Sequence, residues 1–236
     1  MRRLILLCCL SLTMASVESI ALPPLFSSLK PGQAIPGAFR MITLPNIEPN
    51  RFELVEDDGK TVLRVTSAAS AATIGIPLTA SFASNNRLEW RWKIGSVLVN
   101  ADMEKKTGDD FAARLYVFFD VPLSSLSILE RTKIRLIRMI WGGDVPTAVL
   151  CYVWDNRHPV GYSQWSPYSN RVRVMVMQSG TADVGKWVGE SRDVAADFRS
   201  AFGIDAPAIT GLAVGSDTDQ TGETVLTWFG DVKWAP

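Results

Sequence analysis

Residues 107–120 read Thr-Gly-Asp-Asp-Phe-Ala-Ala-Arg-Leu-Tyr-Val-Phe-Phe-Asp, and this stretch decides the fold. A turn signal, Thr107-Gly108, precedes two adjacent carboxylates, Asp109 and Asp110, and then a run of strand-forming residues. Side chains alternate across a strand, so Phe111, Ala113, Leu115, Val117 and Phe119 are expected to share one apolar face. Asp110, Ala112, Arg114, Tyr116 and Phe118 would share the other. That second face carries an acid, a guanidinium and a phenol. A buried charge without a partner is prohibitively costly, so Arg114 must find carboxylates or solvent. Residues four apart on a strand lie about 13 Å from each other, which makes Asp110 a poor partner. Glu190 is the first expected partner, followed by Asp217 and Asp219.

Outward from this strand, the same alternation recurs. Leu88-Glu89-Trp90-Arg91-Trp92-Lys93-Ile94 alternates apolar and charged residues and predicts a strand. Residues 52–55 and 62–65, separated by Asp57-Asp58-Gly59-Lys60, predict a hairpin. Further strands are predicted at 74–76, 148–154, 171–177, 187–193, 209–214 and 224–234. Asp193 is placed to cap a short helix that buries Val194, Phe198, Ala201 and Phe202 and stops at Gly203. Many short strands with few helices predict a mainly β fold, an antiparallel two-sheet β-sandwich of jelly-roll-like kind.

Between Ser124 and Trp141 the period changes. Leu126, Leu129, Leu136, Ile137, Ile140 and Trp141 fall on one helical face, with Arg131, Arg135 and Arg138 opposite. Two readings follow for this inserted amphipathic helix: peripheral membrane contact through residues 124–141, or a cover over the sandwich. Lys133 interrupts the apolar face and favours the cover.

The chain has 236 residues, 47% hydrophobic and 20% charged, an ordinary globular profile. Arg2-Arg3, the apolar run 4–12 and the small-x-small site Ser19-Ile20-Ala21 predict a signal peptide over residues 1–21 and export to the periplasm or beyond. Residues 22–50 are proline-rich and predict an extended lead-in. Residues 51–236 form the single β-sandwich domain. Cleavage removes Cys8 and Cys9, so Cys151 remains alone and is expected to be a small buried hydrophobe. Basic and acidic residues balance at 24 each, which argues against nucleic acid as a partner. A monomer is expected.

The segment Asp217-Thr218-Asp219-Gln220-Thr221-Gly222 resembles half a calcium loop, with Asp217, Asp219 and Thr221 as candidate oxygen ligands. Trp228 stands where a bidentate glutamate is needed, so a tight polar hairpin without a metal or other cofactor is the expectation. Tyr162, Trp165 and Tyr168, in the link between two predicted strands, form a candidate aromatic platform. Trp90 and Trp92 belong to a core face instead. No G-x-S-x-G, H-E-x-x-H or C-x-x-C pattern is present, and with His158 as the single histidine a conventional triad is nearly excluded. Asp110, Glu190, Asp217 and Asp219 are candidates for paired carboxylates, which glycoside hydrolysis places about 5–10 Å apart. No spacing selects a pair.

Four pieces together resemble one known family: Leu88-x-Trp90-Arg91-Trp92-Lys93; Gly108-Asp109-Asp110-Phe111-x-Ala113-Arg114-x-Tyr116-Val117-x-Phe119-Asp120; Trp187-Val188-x-Glu190-x-Arg192-Asp193-Val194-x-x-Asp197-Phe198; and Asp217-Thr218-Asp219-x-Thr221-Gly222 with Gly230-Asp231-Val232. The combination is similar to the exported bacterial proteins grouped as domain of unknown function 3047, from about Phe52 to Trp234. The resemblance implies a β-rich exported domain and no particular chemistry, and the segment 124–141 departs from it. The candidate polar face is therefore Asp109, Asp110, Arg114, Tyr116, Glu190, Asp217 and Asp219. The expected role is binding at the cell envelope, with a saccharide as ligand; the alternative is a glycoside-cleaving enzyme that uses paired carboxylates.

Overall fold

The computed structural model describes residues 24–80, 87–125, 128 and 146–235. The predicted leader (1–21) and nearly all of the predicted inserted helix lie outside these residues. The described residues form thirteen strands: β1 (Arg40–Thr43), β2 (Arg51–Asp57), β3 (Lys60–Ala68), β4 (Ala71–Ala80), β5 (Arg87–Ile94), β6 (Phe111–Phe119), β7 (Ala148–Asp155), β8 (Ser163–Ser166), β9 (Ser169–Ser179), β10 (Val188–Arg192), β11 (Ile209–Asp217), β12 (Thr224–Phe229) and β13 (Lys233–Ala235). The helix α1 (Val194–Phe202) lies between β10 and β11.

The strands make two sheets. The larger runs β1-β4-β11-β6-β7-β9-β8, and the smaller runs β10-β5-β12-β3-β2 with β13 also paired to β5. Pairing is antiparallel except between β7 and β9, which run parallel. The expected mainly β, two-sheet sandwich is therefore present, with this one parallel pair added. The described residues of the proline-rich lead-in hold a 3-10 helix (Phe26–Ser28) and several turns, and contribute β1, which pairs with β4. The link between β7 and β9 was expected to be loop and contains β8.

The core sits between the sheets and is built from the alternating faces. Trp90 and Trp92 of β5 point inward as the alternation predicts. Trp90 stacks on Tyr152 of β7 at 5.2 Å, and Trp92 meets Trp154 at 6.2 Å, so aromatic pairs tie one sheet to the other. Such aromatic contacts add to the burial of large apolar area. Helix α1 is capped as predicted: the Asp193 carboxylate accepts from Ala196 N at 2.9 Å, and Gly203 ends the helix at φ 72°. Its Phe198 packs on Phe119 with ring centres 4.4 Å apart.

Strand β6 holds one surprise. Gly215 of β11 pairs with Arg114 while Asp217 pairs with Phe111, so three steps on β6 oppose two on β11. This bulge moves Phe111 off the inner face expected for it. Phe111 joins Met103, Cys151, Val153, Val174 and Val176 in a second apolar cluster, and Ala112 turns into the main core. Bulges re-aim side chains in this way. Here the result is an Arg114 guanidinium centred 4.4 Å over the Phe111 ring.

Candidate functional site

The bulge brings the start of β6 against the end of β11. Gly108 lets the turn before β6 close on residue 102, because a Cβ there would lie 2.8 Å from the Asp102 backbone nitrogen. The turn that ends at Gly108 delivers Asp109 and Asp110 to the sheet end. From the other side, Thr218 pins the 217–222 loop: its N–H donates to Ser70 O at 2.9 Å and its hydroxyl meets Ser67 Oγ at 2.9 Å. Gly222, at φ 71°, closes the loop by donating to Thr218 O.

Arg114 is the hub. Its Nε donates to Asp217 Oδ1 at 2.7 Å, and its Nη2 meets both Asp217 Oδ2 and the Asp109 carbonyl. Asp217 Oδ1 also accepts from Phe111 N at 2.9 Å. Asp110 faces the loop, where its Oδ2 accepts from Thr221 N at 2.7 Å and Gln220 N at 3.1 Å. Asp219 accepts from the side chain of Gln220. One oxygen from each of Asp110, Asp217 and Asp219 lies within 4.8 Å of the others.

Asp217 and Asp109 face the guanidinium with Asp219 and Asp110 close by, and the titration of Asp217, Asp109 and Asp219 reflects the crowding. Burial pushes Asp217 up to about 8; Arg114 opposes that rise, while Asp110 and Asp109 add to it. Burial likewise raises Asp109 and Asp219, and the neighbouring Asp110 raises both further. Like charges this close do not all ionise together.

Five of the seven residues predicted for the polar face are brought together: Asp109, Asp110, Arg114, Asp217 and Asp219. Tyr116 shares the strand face of Arg114 and stacks against Phe118 at 5.9 Å, with burial raising its phenol far above the ordinary value. Glu190 is not part of the cluster. It sits on β10 in the smaller sheet, paired opposite Trp90, and accepts from Gln178 Nε2 at 2.8 Å. The first partner expected for Arg114 is therefore replaced by the second, Asp217, because β6 and β11 are neighbours and β6 and β10 belong to different sheets.

The aromatic platform does not assemble as one surface. Tyr162 is covered by His158, whose ring stacks 4.5 Å away. Trp165 lies on β8, packed edge-on against Phe202 at 5.3 Å with Arg173 5.1 Å from its ring centre. Tyr168 is 56% exposed and apart from the other two, with Lys106 Nζ 5.4 Å from its ring centre. Its hydroxyl donates to Lys106 O at 2.8 Å, and its phenol is raised by burial and then by Asp109, Asp219 and Asp110. The backbone amides of Gln220 and Thr221, which hold Asp110, were not foreseen; Gly222 was the available signal for the sharp turn that aims them. A second, half-buried aromatic surface lies on the outer face of the smaller sheet. There Lys93 sits 4.6 Å from the Trp228 ring and Arg91 4.3 Å from the Trp187 ring. Asp57 and Asp58 already pair these cations.

Comparison with known proteins places the chain. The family model described as Protein of unknown function (DUF3047) matches residues 38–233, and the chain belongs to this family. No curated protein matches it. Among solved structures it is similar to a cellulose induced protein, Cip1, at 12% identity and a TM-score of 0.36, covering 84% of this chain and 90% of that one. It is also similar to the Trichoderma harzianum endoglucanase 3 from family GH12, at 7% identity and a TM-score of 0.41, covering 86% and 99%. Likeness at this level says nothing of a ligand.

Proposed function

We propose that this DUF3047 protein is an exported binding domain, that its ligand site is the acidic end of the larger sheet, and that its ligand is a saccharide. The observation that carries the reading is the exposed Tyr168 ring, whose phenol is raised by burial and by the charges of Asp109, Asp219 and Asp110. A sugar presents an apolar face of C–H groups and a rim of hydroxyls. An amphipathic ring suits the first. Carboxylates suit the second, because a hydroxyl donating to an ionised acceptor makes a short, strong hydrogen bond. Export is supported by the leader pattern of residues 1–21, and secreted protein is expected to begin at Leu22 by mass spectrometry.

Binding is favoured over cleavage by how the acids are held. Asp217 is engaged at both oxygens by Arg114, and Asp110 is engaged by two backbone amides. Cleavage of a glycosidic bond retains one supporting observation: burial raises Asp217 to about 8, the direction a general acid needs, against the pull of Arg114, which holds both its oxygens as those of a carboxylate.

A glycan array followed by titration of the best glycan tests the reading. Tyr168→Ala and Asp219→Asn are expected to weaken binding at least about tenfold, equal to about 1.4 kcal/mol, while Trp165→Ala leaves it unchanged. Loss on Trp165→Ala with no effect of the other two overturns the site. Release of cleaved glycan, abolished by Asp217→Asn, replaces binding with catalysis.

A further inference from the structure

We propose that a groove on the outer side of the smaller sheet is a second binding site, separate from the acidic sheet end, and that it takes a sugar acid: a carboxylate carried beside hydroxyls. The groove has a volume of about 430 Å³, and its lining includes Ser27, Lys60, Glu89, Arg91, Ser191 and Asp231. Clefts of this size suit small organic ligands.

A break in the sheet makes the groove. Strand β5 pairs with β12 through Trp92 to Ile94 and with β13 through Arg87 to Glu89. Between these two ladders the chain turns across Gly230-Asp231-Val232, and among the described residues no strand pairs with Trp90 or Arg91 on that side. Gly230 N donates to Arg91 O at 2.9 Å instead. Strand β12 has 6 residues, with the 217–222 loop before its start and Gly230 after its end. The two sites therefore lie at opposite ends of a strand about 20 Å long.

Arg91 selects the ligand. Its stem lies across Gly230, where a Cβ would stand 2.5 Å from Arg91 Cγ and 2.7 Å from Nε. Its guanidinium is centred 4.3 Å from the Trp187 ring. The fork is thus held from two sides. A guanidinium carries five N–H donors. Among the described residues one of them is used, by Asp58 Oδ2 at 3.3 Å, and the Asp58 side chain is 66% exposed. A planar fork with donors to spare matches a carboxylate, which accepts two parallel hydrogen bonds from it. Lys60, exposed on the groove's wall, adds a second positive charge.

The acids along the groove are already engaged. Asp231 accepts from Ser27 N at 2.9 Å and Ser27 Oγ at 2.6 Å, Glu89 pairs with Lys233 at 3.4 Å, and Glu190 accepts from Gln178 Nε2 at 2.8 Å. Ser191 stands opposite Glu89 in the β5–β10 ladder, and its Oγ accepts from Arg87 Nε at 2.9 Å, so its own proton can go to a ligand. Hydroxyl donors and acceptors beside a guanidinium suit a polyhydroxylated acid. The acidic sheet end disfavours the same ligand, because like charges placed together weaken binding.

Calorimetric titration of the whole domain with glucuronate, glucose and trigalacturonate tests the site. Glucuronate should bind at least about tenfold more tightly than glucose. Tighter binding of the trimer assigns the groove to an acidic glycan chain, and no gain assigns it to the free acid. Arg91→Lys keeps the charge and loses the fork, and Gly230→Ala displaces the Arg91 stem. Each should lose at least about tenfold in glucuronate affinity. Asp58→Asn removes the competing carboxylate at φ 55°, a conformation asparagine tolerates, and should tighten binding about threefold or more. Arg199→Gln, an exposed cation on α1, should change nothing. Glucuronate bound no better than glucose, or binding indifferent to both Arg91→Lys and Asp58→Asn, overturns the site. Loss on Tyr168→Ala with none on Arg91→Lys places the acid at the acidic sheet end and also overturns it. The two readings fail separately, because Tyr168→Ala tests the one and Arg91→Lys the other.

Discussion

Arg114 grips Asp217 at both carboxylate oxygens across the neighbouring strands β6 and β11, with Nε 2.7 Å from Oδ1 and Nη2 on Oδ2. The pair is largely buried, and removing one partner of such a pair costs about 3–5 kcal/mol where the other stays charged, which for Asp217 means above about pH 8. Arg114→Met should lower stability by about that amount. Arg114→Lys should also destabilise, because an ammonium does not reproduce the planar fork. In denaturant melts, Arg114→Lys and Asp217→Asn should be non-additive, whereas Arg114→Lys and Glu190→Gln should add. Additive losses for the Asp217 pair would show that the two side chains act independently.

Much of this arrangement is legible in the sequence. The alternation of 88–94 places Trp90 and Trp92 in the core, and Asp193 and Gly203 mark the ends of α1. The motifs around Asp109-Asp110, Arg114 and Asp217 to Gly222 name five residues that do converge. What the sequence hides is non-local. Nothing in residues 187–193 reveals that β10 lies in the other sheet from β6, so Glu190 and Asp217 look equally able to meet Arg114. The bulge that turns Phe111 away from the main core leaves no mark on the alternating pattern, since Phe111 and Ala113 are both apolar. Strands β1 and β8 have four residues each and lie at the sheet edges, too short for alternation to register.

Stability should fall as pH rises from about 4 to about 8. The folded domain holds protons on Asp217, Asp109 and Asp219 above the ordinary carboxylate range of 3.8. A raised folded-state pKa favours the folded state at low pH, and that advantage is lost as pH passes the folded value. Asp57 and Asp102, which are lowered from 3.8, act in the opposite sense and below this window. Urea midpoints in chelator at pH 5, 6.5 and 8 should decline, and Asp217→Asn should flatten the decline. A midpoint that rises with pH and is indifferent to Asp217→Asn would contradict the account of the cluster.

The thiol of Cys151 should be inert in the native protein. It is fully buried, and burial pushes it up to about 12. The thiolate is the reactive species, so labelling requires opening of the domain. Labelling rates should track unfolding in denaturant, and rapid labelling in native buffer would place Cys151 at an opening in the structure.

Helix α1 should depend on a buried junction beneath it. Tyr152 donates to Asp197 Oδ2 at 2.8 Å, and Arg192 Nε donates to the same oxygen at 2.8 Å. A hydrogen bond to a charged group contributes about 1.5–3 kcal/mol, so Tyr152→Phe should cost about that much. Asp197→Asn should cost at least as much, since it weakens both contacts. Melts of the two variants check this, and a loss below about 0.5 kcal/mol for either would make the junction incidental.

The most direct measurement is amide hydrogen exchange of the domain with and without the glycan selected on the array. Phe111 N donates to Asp217, and the amides of Gln220 and Thr221 donate to Asp110, so the protein carries reporters inside the acidic site. Ligand bound there should slow exchange at residues 109–111 and 217–222 and leave β10 and β12 unchanged. Protection confined to the outer face of the smaller sheet, around Trp187 and Trp228, would place the ligand elsewhere and contradict the account.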